Sequence, residues 1–180
     1  MNAVPSDPEF SRLRVYSDPL QHAALAAVVA APLVPHAGRS VLATAVAAAL
    51  VIDLDHAVAA GSLRVRATTS LRTRPRSHSM VVALAAGAIV GAAARDPLHG
   101  WAAFGALASH LMHDAGDRAA PTPVLWPFAP ARQLGRRWQV ATTAALVLAS
   151  VAVSRAAEAA SRAPSAAAGG GVASAPPRTA

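Results

Sequence analysis

The sequence predicts an all-α membrane protein, a polytopic helical bundle of about four to five short Ala-rich helices. Three observations predict this fold class. Of the 180 residues, 54% are hydrophobic and only 14% are charged, whereas an ordinary soluble domain has about 25% charged residues. The hydrophobic residues fall into separate runs that lack strict alternation and are dominated by Ala, which favours helices over strands and argues against a transmembrane barrel. The 16 basic residues are all Arg and lie in the gaps between these runs.

The five hydrophobic segments define the helices in order along the chain. Each is shorter than, or at the low end of, the roughly 17–25 residues that a membrane-spanning helix needs. The five segments together therefore predict a membrane protein better than any one of them does. Gly87, Gly91 and Gly105 would allow close helix packing in lipid. A soluble helical bundle with a buried site is the structural alternative. The segments are residues 22–35, 41–52, 80–94, 98–112 and 138–154.

Polar or low-complexity sequence flanks these segments on both sides. Residues 1–21 form a polar N-terminal arm without the basic start and adjoining apolar run of a secretory signal. Residues 22–155 form the membrane-embedded helical domain. Residues 156–180 are rich in Ala, Gly, Ser and Pro and are predicted to be a disordered tail.

The distribution of Arg predicts the orientation in the membrane. If all five segments span, eleven Arg lie on the side of the N-terminus and five on the opposite side. The positive-inside rule then places the N-terminus in the cytoplasm and the protein in the inner membrane as a multi-pass protein. Arg72, Arg74 and Arg76 are interpreted as positive-inside or lipid-binding residues. The Arg residues neither cluster on a polar helix nor alternate with aromatics, so no nucleic acid partner is expected.

This topology brings eight ionisable residues to the cytoplasmic edge of the bundle. We call them the His/Asp cluster, and charged or imidazole groups at the ends of apolar helices are costly unless they are paired, hydrated or metal-bound. Convergence on one edge therefore predicts a functional site, whereas His36 and His99 fall on the opposite edge and are interpreted as structural. The cluster consists of His22, Asp53, Asp55, His56, His78, His110, His113 and Asp114.

Spacing within the cluster favours metal binding. Asp53 and His56 are three residues apart and His110 and Asp114 are four apart, so each pair shares a helix face, and His113 lies beside the second pair. The chain has no Cys, which excludes thiolate zinc sites and Cys nucleophiles. Mixed nitrogen and oxygen ligands suit Zn, Mn or Fe better than Ca or Mg. No Gly-rich phosphate loop or dinucleotide fingerprint is present, so we expect no other cofactor.

Four short motifs resemble the inner-membrane metal-dependent hydrolase family. They are DLDH at 53–56, RPRSHS at 74–79, SHLMHD at 109–114 and PVLWPF at 123–128, and the resemblance extends over residues 22–128. It implies metal or catalytic roles for His22 and for the cluster residues within the motifs other than His113, while Ser79 and Trp126 match positions of unclear role. Combined with the spacing, the expected metal ligands are His22, Asp53, His56, His110, His113 and Asp114, and the expected catalytic residues are Asp55 and His78.

The third motif departs from the family pattern His-Arg-Gly-x-Thr-His-Ser. Thr73 stands at the first His of that pattern, Pro75 at the Gly and Ser77 at the Thr. One potential ligand is therefore replaced. Either His113 compensates, or the site holds fewer metal ions, or this member does not catalyse.

The favoured hypothesis is a membrane-bound metal-dependent hydrolase acting on a phosphoester or lipid-like substrate, with membrane lipid and an unidentified small molecule or lipid as partners. His78 would be a further ligand or a general acid, and Asp55 a bridging ligand or a carboxylate that orients an imidazole. The alternatives are a metal-ion or proton transport protein, and a non-catalytic membrane protein in which a metal joins the helix ends.

Overall fold

The protein is an all-α bundle, as predicted. The computed structural model describes residues 8–64, 67–68, 71–116 and 120–162, with side chains from residue 17 onwards. A short 3-10 turn, Ala31–Leu33, joins the first two helices, and an isolated bridge pairs Thr122 with Arg132 in the loop before the last helix. The helices are α1 (Pro8–Ala30), α2 (Val34–Ala37), α3 (Ser40–Val51), α4 (Leu54–Ala60), α5 (Met80–Ala94), α6 (Pro97–Gly116) and α7 (Arg136–Arg162).

Helix α6 is the central element of the bundle. It packs against α1, α3, α5 and α7, and an unbroken run of buried residues extends from Gly105 to Ala115. Its neighbours contribute mainly Ala to the core, for example Ala26 and Ala45. Small side chains bring the helix backbones close together, which is the usual way in which helices gain van der Waals contact in lipid.

The closest helix contact joins α5 and α6. A Cβ atom added at Gly100 would lie 2.7 Å from the carbonyl oxygen of Gly87 and 3.0 Å from the Cα atom of Gly91. A Cβ atom at Gly105 would lie 2.8 Å from a methyl group of Val29 on α1. The close packing predicted for Gly87, Gly91 and Gly105 is confirmed, because no larger residue fits these positions without displacement.

Three of the described helical stretches are long and apolar enough to cross a membrane. By length and composition they are Ser17–Ala37, Ser40–Ala60 and Arg136–Arg162. The second combines α3 and α4, so the short segment predicted at 41–52 continues beyond the cluster residues. Met80–Ala94 is apolar but shorter, and α6 is enclosed by the other helices. Large apolar side chains such as Ile89 and Leu148 point outward and are about 70% exposed, an arrangement typical of a lipid-facing surface.

Two helices extend beyond the predicted segment boundaries. Helix α1 begins at Pro8, within the predicted polar arm, and α7 continues to Arg162, so residues 156–162 of the predicted disordered tail are helical. Ala favours helix strongly, and Glu158 and Arg162 form an ion pair one turn apart, which supports the last turn of α7. The rest of the predicted arm and tail, residues 1–7 and 163–180, lies outside the described residues.

Candidate metal centre

The structure brings all eight residues of the His/Asp cluster together at one end of the bundle. Helices α3 and α6 end there and α5 begins there. His22 lies inside α1 rather than at its start, because the polar arm continues this helix. His78 precedes α5 by two residues. The other members lie around the junction of α3 and α4 (Asp53, Asp55 and His56) and in the last two turns of α6 (His110, His113 and Asp114).

A helix cap fixes the loop that carries His78. Ser79 is the N-cap of α5, and its hydroxyl accepts a hydrogen bond from the Val82 amide, which gives the motif serine a structural role. The Met80 amide donates to the Val124 carbonyl. The Arg76 guanidinium lies 5.9 Å from the centre of the Trp126 ring, so the second and fourth motifs pack together beside the site.

Three fully buried residues form the centre of the cluster. The Oδ2 atom of Asp114 lies 3.3 Å from the Nε2 atom of His78 and 3.4 Å from the Nε2 atom of His110. None of these three side chains is exposed. His110 and Asp114 share a helix face, as their spacing predicts.

Asp53 links this centre to the remaining imidazoles. Its Oδ1 atom lies 3.3 Å from His110 Nε2, 3.6 Å from His56 Nδ1 and 3.9 Å from His78 Nε2. Its Oδ2 atom lies 3.9 Å from His22 Nδ1. The face sharing predicted for Asp53 and His56 is confirmed. The Asp53 side chain is one third exposed, so this carboxylate leaves one edge of the buried centre open to the surroundings.

A second group extends the cluster towards α7. His22 Nε2 lies 3.6 Å from Asp114 Oδ1, and the His22 ring packs edge-on against the rings of His110 and His113. His113 Nε2 lies 3.4 Å from Asp18 Oδ1 and its Nδ1 atom 2.6 Å from the Gln139 amide nitrogen.

Sequence reasoning missed Asp18 and Gln139. Asp18 lies four residues before His22, the spacing that identified His110 and Asp114, and this signal was available. This spacing does not stand out in the sequence, because Asp18 lies in the polar stretch 1–21, which predicts an arm outside the helical domain. Gln139 had no comparable signal, since only the packing of α7 on α6 brings it to His113.

Asp55 contacts two imidazoles, and it reaches His78 from the side away from the buried centre. Its Oδ2 atom lies 2.9 Å from His78 Nδ1, and its Oδ1 atom 3.2 Å from His56 Nδ1. The Ser77 hydroxyl donates a hydrogen bond to the same carboxylate. Ser77, the residue at the family's Thr position, therefore helps to hold Asp55. Thr73, at the family's His position, is exposed.

Arg74 is part of the site, so the interpretation of this residue as a lipid-binding Arg is wrong. Its Nη2 atom lies 3.0 Å from Asp114 Oδ1 and its Nη1 atom 3.3 Å from His56 Nε2. The side chain is 11% exposed. Its match to the Arg of the family's third motif was the signal that could have identified it. By contrast, Arg72 and Arg76 are exposed.

The electrostatics of the cluster are dominated by buried carboxylates. Burial alone would lower the pKa of His78, but the neighbouring carboxylates of Asp114, Asp53 and Asp55 raise it to about 10. Several buried atoms nevertheless lack a partner with hydrogen-bond geometry among the described residues. Within the site they are both ring nitrogens of His22 and of His110, both carboxylate oxygens of Asp114, Nε2 of His78, Oδ1 of Asp55 and Nε of Arg74.

These unpaired atoms fit a bound metal ion. Buried polar atoms are nearly always hydrogen-bonded, so a concentration of unpaired ones needs an explanation. Each of four overlapping groups of three residues offers ligand atoms that all lie within 4.8 Å of one another. The buried His/Asp residues could therefore hold a divalent metal ion through nitrogen and oxygen. The groups are Asp18–His22–His113, His22–Asp53–His110, Asp53–His56–His78 and His78–His110–Asp114.

The apolar helices and the buried cluster define a helical membrane protein with a candidate metal centre at one end of the bundle. The chain belongs to the YdjM inner membrane protein family, which it matches over residues 18–175. This match confirms the predicted relationship to an inner-membrane family, and the family description names no hydrolase activity. Neither the curated proteins nor the solved structures contain a match to the chain.

Proposed function

We propose that the protein is a membrane-bound metal-dependent hydrolase whose site is the His/Asp cluster. The observation that carries this proposal is the buried centre of His78, His110 and Asp114, in which five nitrogen and oxygen atoms lack hydrogen-bond partners among the described residues. Imidazole and carboxylate groups are costly to bury at the end of an apolar bundle, and binding a cation would offset that cost.

The geometry supports distinct roles for the cluster residues. Asp53, His56, His110 and Asp114 are the main ligands, with His22 and His113 completing the side that faces α7. His78 is favoured as a further ligand over a general acid, because its Nε2 atom faces the same two carboxylates as His110 Nε2. Asp55 is favoured as the orienting carboxylate over a bridging ligand, because it contacts His78 at Nδ1, the ring nitrogen opposite the one that faces Asp53 and Asp114.

A divalent Zn, Mn or Fe ion, when bound, activates water near neutral pH and polarises a phosphoester or ester oxygen. The chain's own residues supply the rest of the site. Asp53 keeps the centre accessible, and Arg74 presents a guanidinium that would bind a phosphoester oxygen. The site lies where apolar helices end, so a lipid-like phosphoester suits its position. We place this end in the cytoplasm, because eleven of the 16 Arg lie on that side in the five-segment topology.

Elemental analysis of the detergent-purified, full-length protein tests the metal site. The comparison is between the wild type and a His78→Ala, His110→Ala double variant, with helical content checked by circular dichroism. The matched control is His36→Ala, which removes an exposed imidazole outside the cluster. We expect near-stoichiometric metal in the wild type and control and its loss from a still-helical double variant. Equal metal in all three proteins, or none in any of them, would contradict the proposal.

Turnover separates a hydrolase from the alternatives. The metal-loaded wild type is expected to hydrolyse members of a panel of phosphomonoesters, phosphodiesters and phospholipids, and the double variant is not. Metal bound without turnover on any member would identify a structural site. Metal flux into proteoliposomes that Asp53→Asn abolishes would instead identify a transporter.

A further inference from the structure

A second polar cluster lies at the end of the bundle opposite to the His/Asp cluster. It joins the first residue of α3 to the first turn of α6. His99 Nε2 lies 3.2 Å from Ser40 Oγ, and His99 Nδ1 lies 2.8 Å from Asp96 Oδ2. His99 and His110 are eleven residues apart on α6, which corresponds to about 16 Å along the helix. The two clusters are therefore separate sites.

The order of atoms in this second cluster is hydroxyl, imidazole and carboxylate. We propose that Ser40, His99 and Asp96 form a reactive centre in which Ser40 is a nucleophile towards acyl esters presented at this edge of the membrane. The same constellation of a hydroxyl, an orienting carboxylate and an imidazole between them occurs on unrelated folds and is recognised by its geometry. The activity proposed for these three residues is independent of the metal-dependent hydrolysis proposed above.

Two contacts of Asp96 prepare His99 to act as a base. The Oδ1 atom accepts a 2.8 Å hydrogen bond from the Leu98 amide, which holds the carboxylate at the start of α6, while Oδ2 accepts a hydrogen bond from His99 Nδ1. The Leu98 hydrogen bond also lowers the pKa of Asp96, so the carboxylate is ionised at neutral pH. With the proton on Nδ1, the lone pair of Nε2 faces Ser40.

Ser40 is placed where a nucleophile can be reached. Its side chain is exposed, and its hydroxyl lies 3.0 Å from the Ala37 carbonyl oxygen as well as beside His99. Rotation about the Cβ–Oγ bond moves the hydroxyl hydrogen between these two acceptors. Ser40 also begins the twelve-residue helix α3, whose N-terminus carries no side-chain cap. The amides of Val41, Leu42 and Ala43 donate to the carbonyls of Gly38 and Arg39, so the positive end of the helix dipole, rather than these amides, would favour a developing oxyanion.

The proposed reaction is the hydrolysis of an ester, with water as the only co-reactant. Ser40 Oγ forms a bond to the acyl carbon while its proton passes to His99 Nε2. The ester carbon–oxygen bond breaks, and the alcohol leaves with that proton. Water then attacks the acyl-Ser40 ester and gives a proton to His99 Nε2. The carboxylic acid is released as Ser40 recovers its proton, so ester and water become acid and alcohol.

A fluorophosphonate probe tests the nucleophile in the full-length protein in detergent. The phosphonyl group is expected to react with the wild type, with loss of fluoride, and mass spectrometry is expected to locate the adduct on Ser40. Ser40→Ala is expected to abolish this adduct and the hydrolysis of p-nitrophenyl butyrate. The control Ser62→Ala removes a half-buried serine just after α4 and is expected to react like the wild type.

The rate of fluorophosphonate labelling tests the roles of His99 and Asp96. His99→Gln is expected to slow labelling by about 100-fold or more, because the base is removed. Asp96→Asn keeps an acceptor for the Leu98 amide but loses the charge that orients His99. It is expected to slow labelling at least about tenfold without lowering the melting temperature, a result that a purely structural carboxylate would not give.

Several results would overturn this proposal. They are an unlabelled wild type, an adduct on another residue, a Ser40→Ala protein that hydrolyses the ester at the wild-type rate, and unchanged labelling rates in His99→Gln and Asp96→Asn. The His78→Ala, His110→Ala double variant is expected to keep its labelling if it remains helical, so the outcome does not depend on the metal centre.

Discussion

The Nε2 atom of His110 lies 3.3 Å from the Oδ1 atom of Asp53. This contact joins the last turns of α6 to the junction of α3 and α4, two regions that are distant in sequence. Because His110 is fully buried, the pair has little water to screen it, and its interaction is stronger than that of a surface pair. A cation shared by the two side chains would hold the ends of these helices together.

Removal of metal is therefore expected to destabilise the protein. A ligand that binds only the folded state at about 100 times its dissociation constant contributes about 2.7 kcal/mol, which for a chain of this size shifts the melting temperature by about 5–10 °C. Melting of the detergent-purified protein followed by circular dichroism, with and without a chelator, measures the shift. The His78→Ala, His110→Ala double variant is expected to show none, whereas His36→Ala is expected to keep it. An equal shift in the double variant would place the stabilising metal elsewhere.

Asp55→Asn is expected to weaken metal binding without abolishing it. Asp55 contacts His78 at Nδ1, 2.9 Å away and opposite the nitrogen that faces Asp53 and Asp114, so in the proposed site it orients a ligand rather than binding the metal. Loss of such an orienting carboxylate typically lowers metal affinity 10–100-fold. Competition titration with a chromophoric chelator measures this change. Asp96→Asn, which alters a carboxylate at the other end of the bundle, is the control with unchanged affinity. Complete loss of binding in Asp55→Asn would instead make Asp55 a ligand.

Arg74→Ala is expected to destabilise the metal-free protein more than the metal-loaded protein. The Arg74 guanidinium contacts Asp114, which is fully buried, and removal of one partner of a buried ion pair costs about 3–5 kcal/mol. A bound cation would replace part of the lost positive charge. The melting temperatures of both forms measure the difference.

Arg76→Ala is the matched control for this prediction. Arg76 is two residues away and exposed, and it lies over the Trp126 ring, so its removal is expected to change stability little in either form. An equal loss of stability for Arg74→Ala with and without metal would show that the cation does not share Asp114.

The fold was predictable because Ala-rich runs separated by Arg mark each helix. Helix ends were less predictable, since a polar sequence can continue a helix that begins in an apolar one, as residues 8–21 do in α1. Composition alone also does not show which helix is central. The enclosure of α6 depends on close contacts such as that of Gly100 with Gly87, which involve the packing of two helices rather than the sequence of one.

The cluster was predictable because a topology and four motifs pointed to the same end of the bundle. No comparable sequence signal marks the groups whose roles depend on packing alone. Gln139 reaches His113 only because α7 lies against α6, and Ser40 meets His99 only because the N-terminal ends of α3 and α6 lie side by side. His99, interpreted from sequence as structural, contacts both a hydroxyl and a carboxylate.

A partly buried hydrogen bond connects α6 to α7 within the apolar region. Trp101 Nε1 donates to Ser150 Oγ over 2.9 Å, and Ser150 is fully buried. Hydrogen bonds between helices in a membrane contribute about 0.6 kcal/mol on average and up to about 1.7 kcal/mol. Ser150→Ala and Trp101→Phe are each expected to lower the free energy of unfolding by an amount in this range, with any lost packing of the indole added for the second.

A double-mutant cycle isolates the hydrogen bond. The combined Ser150→Ala, Trp101→Phe variant is expected to lose less stability than the sum of the single variants, because either change already breaks the contact. Ser161→Ala, an exposed serine on the same helix whose hydroxyl bonds to the Glu158 carbonyl, is the control and is expected to leave the free energy of unfolding within about 0.5 kcal/mol of the wild type. Unfolding in a denaturing detergent titration gives these values. Strict additivity would mean that the hydrogen bond between Trp101 and Ser150 does not contribute to the stability of the contact between α6 and α7.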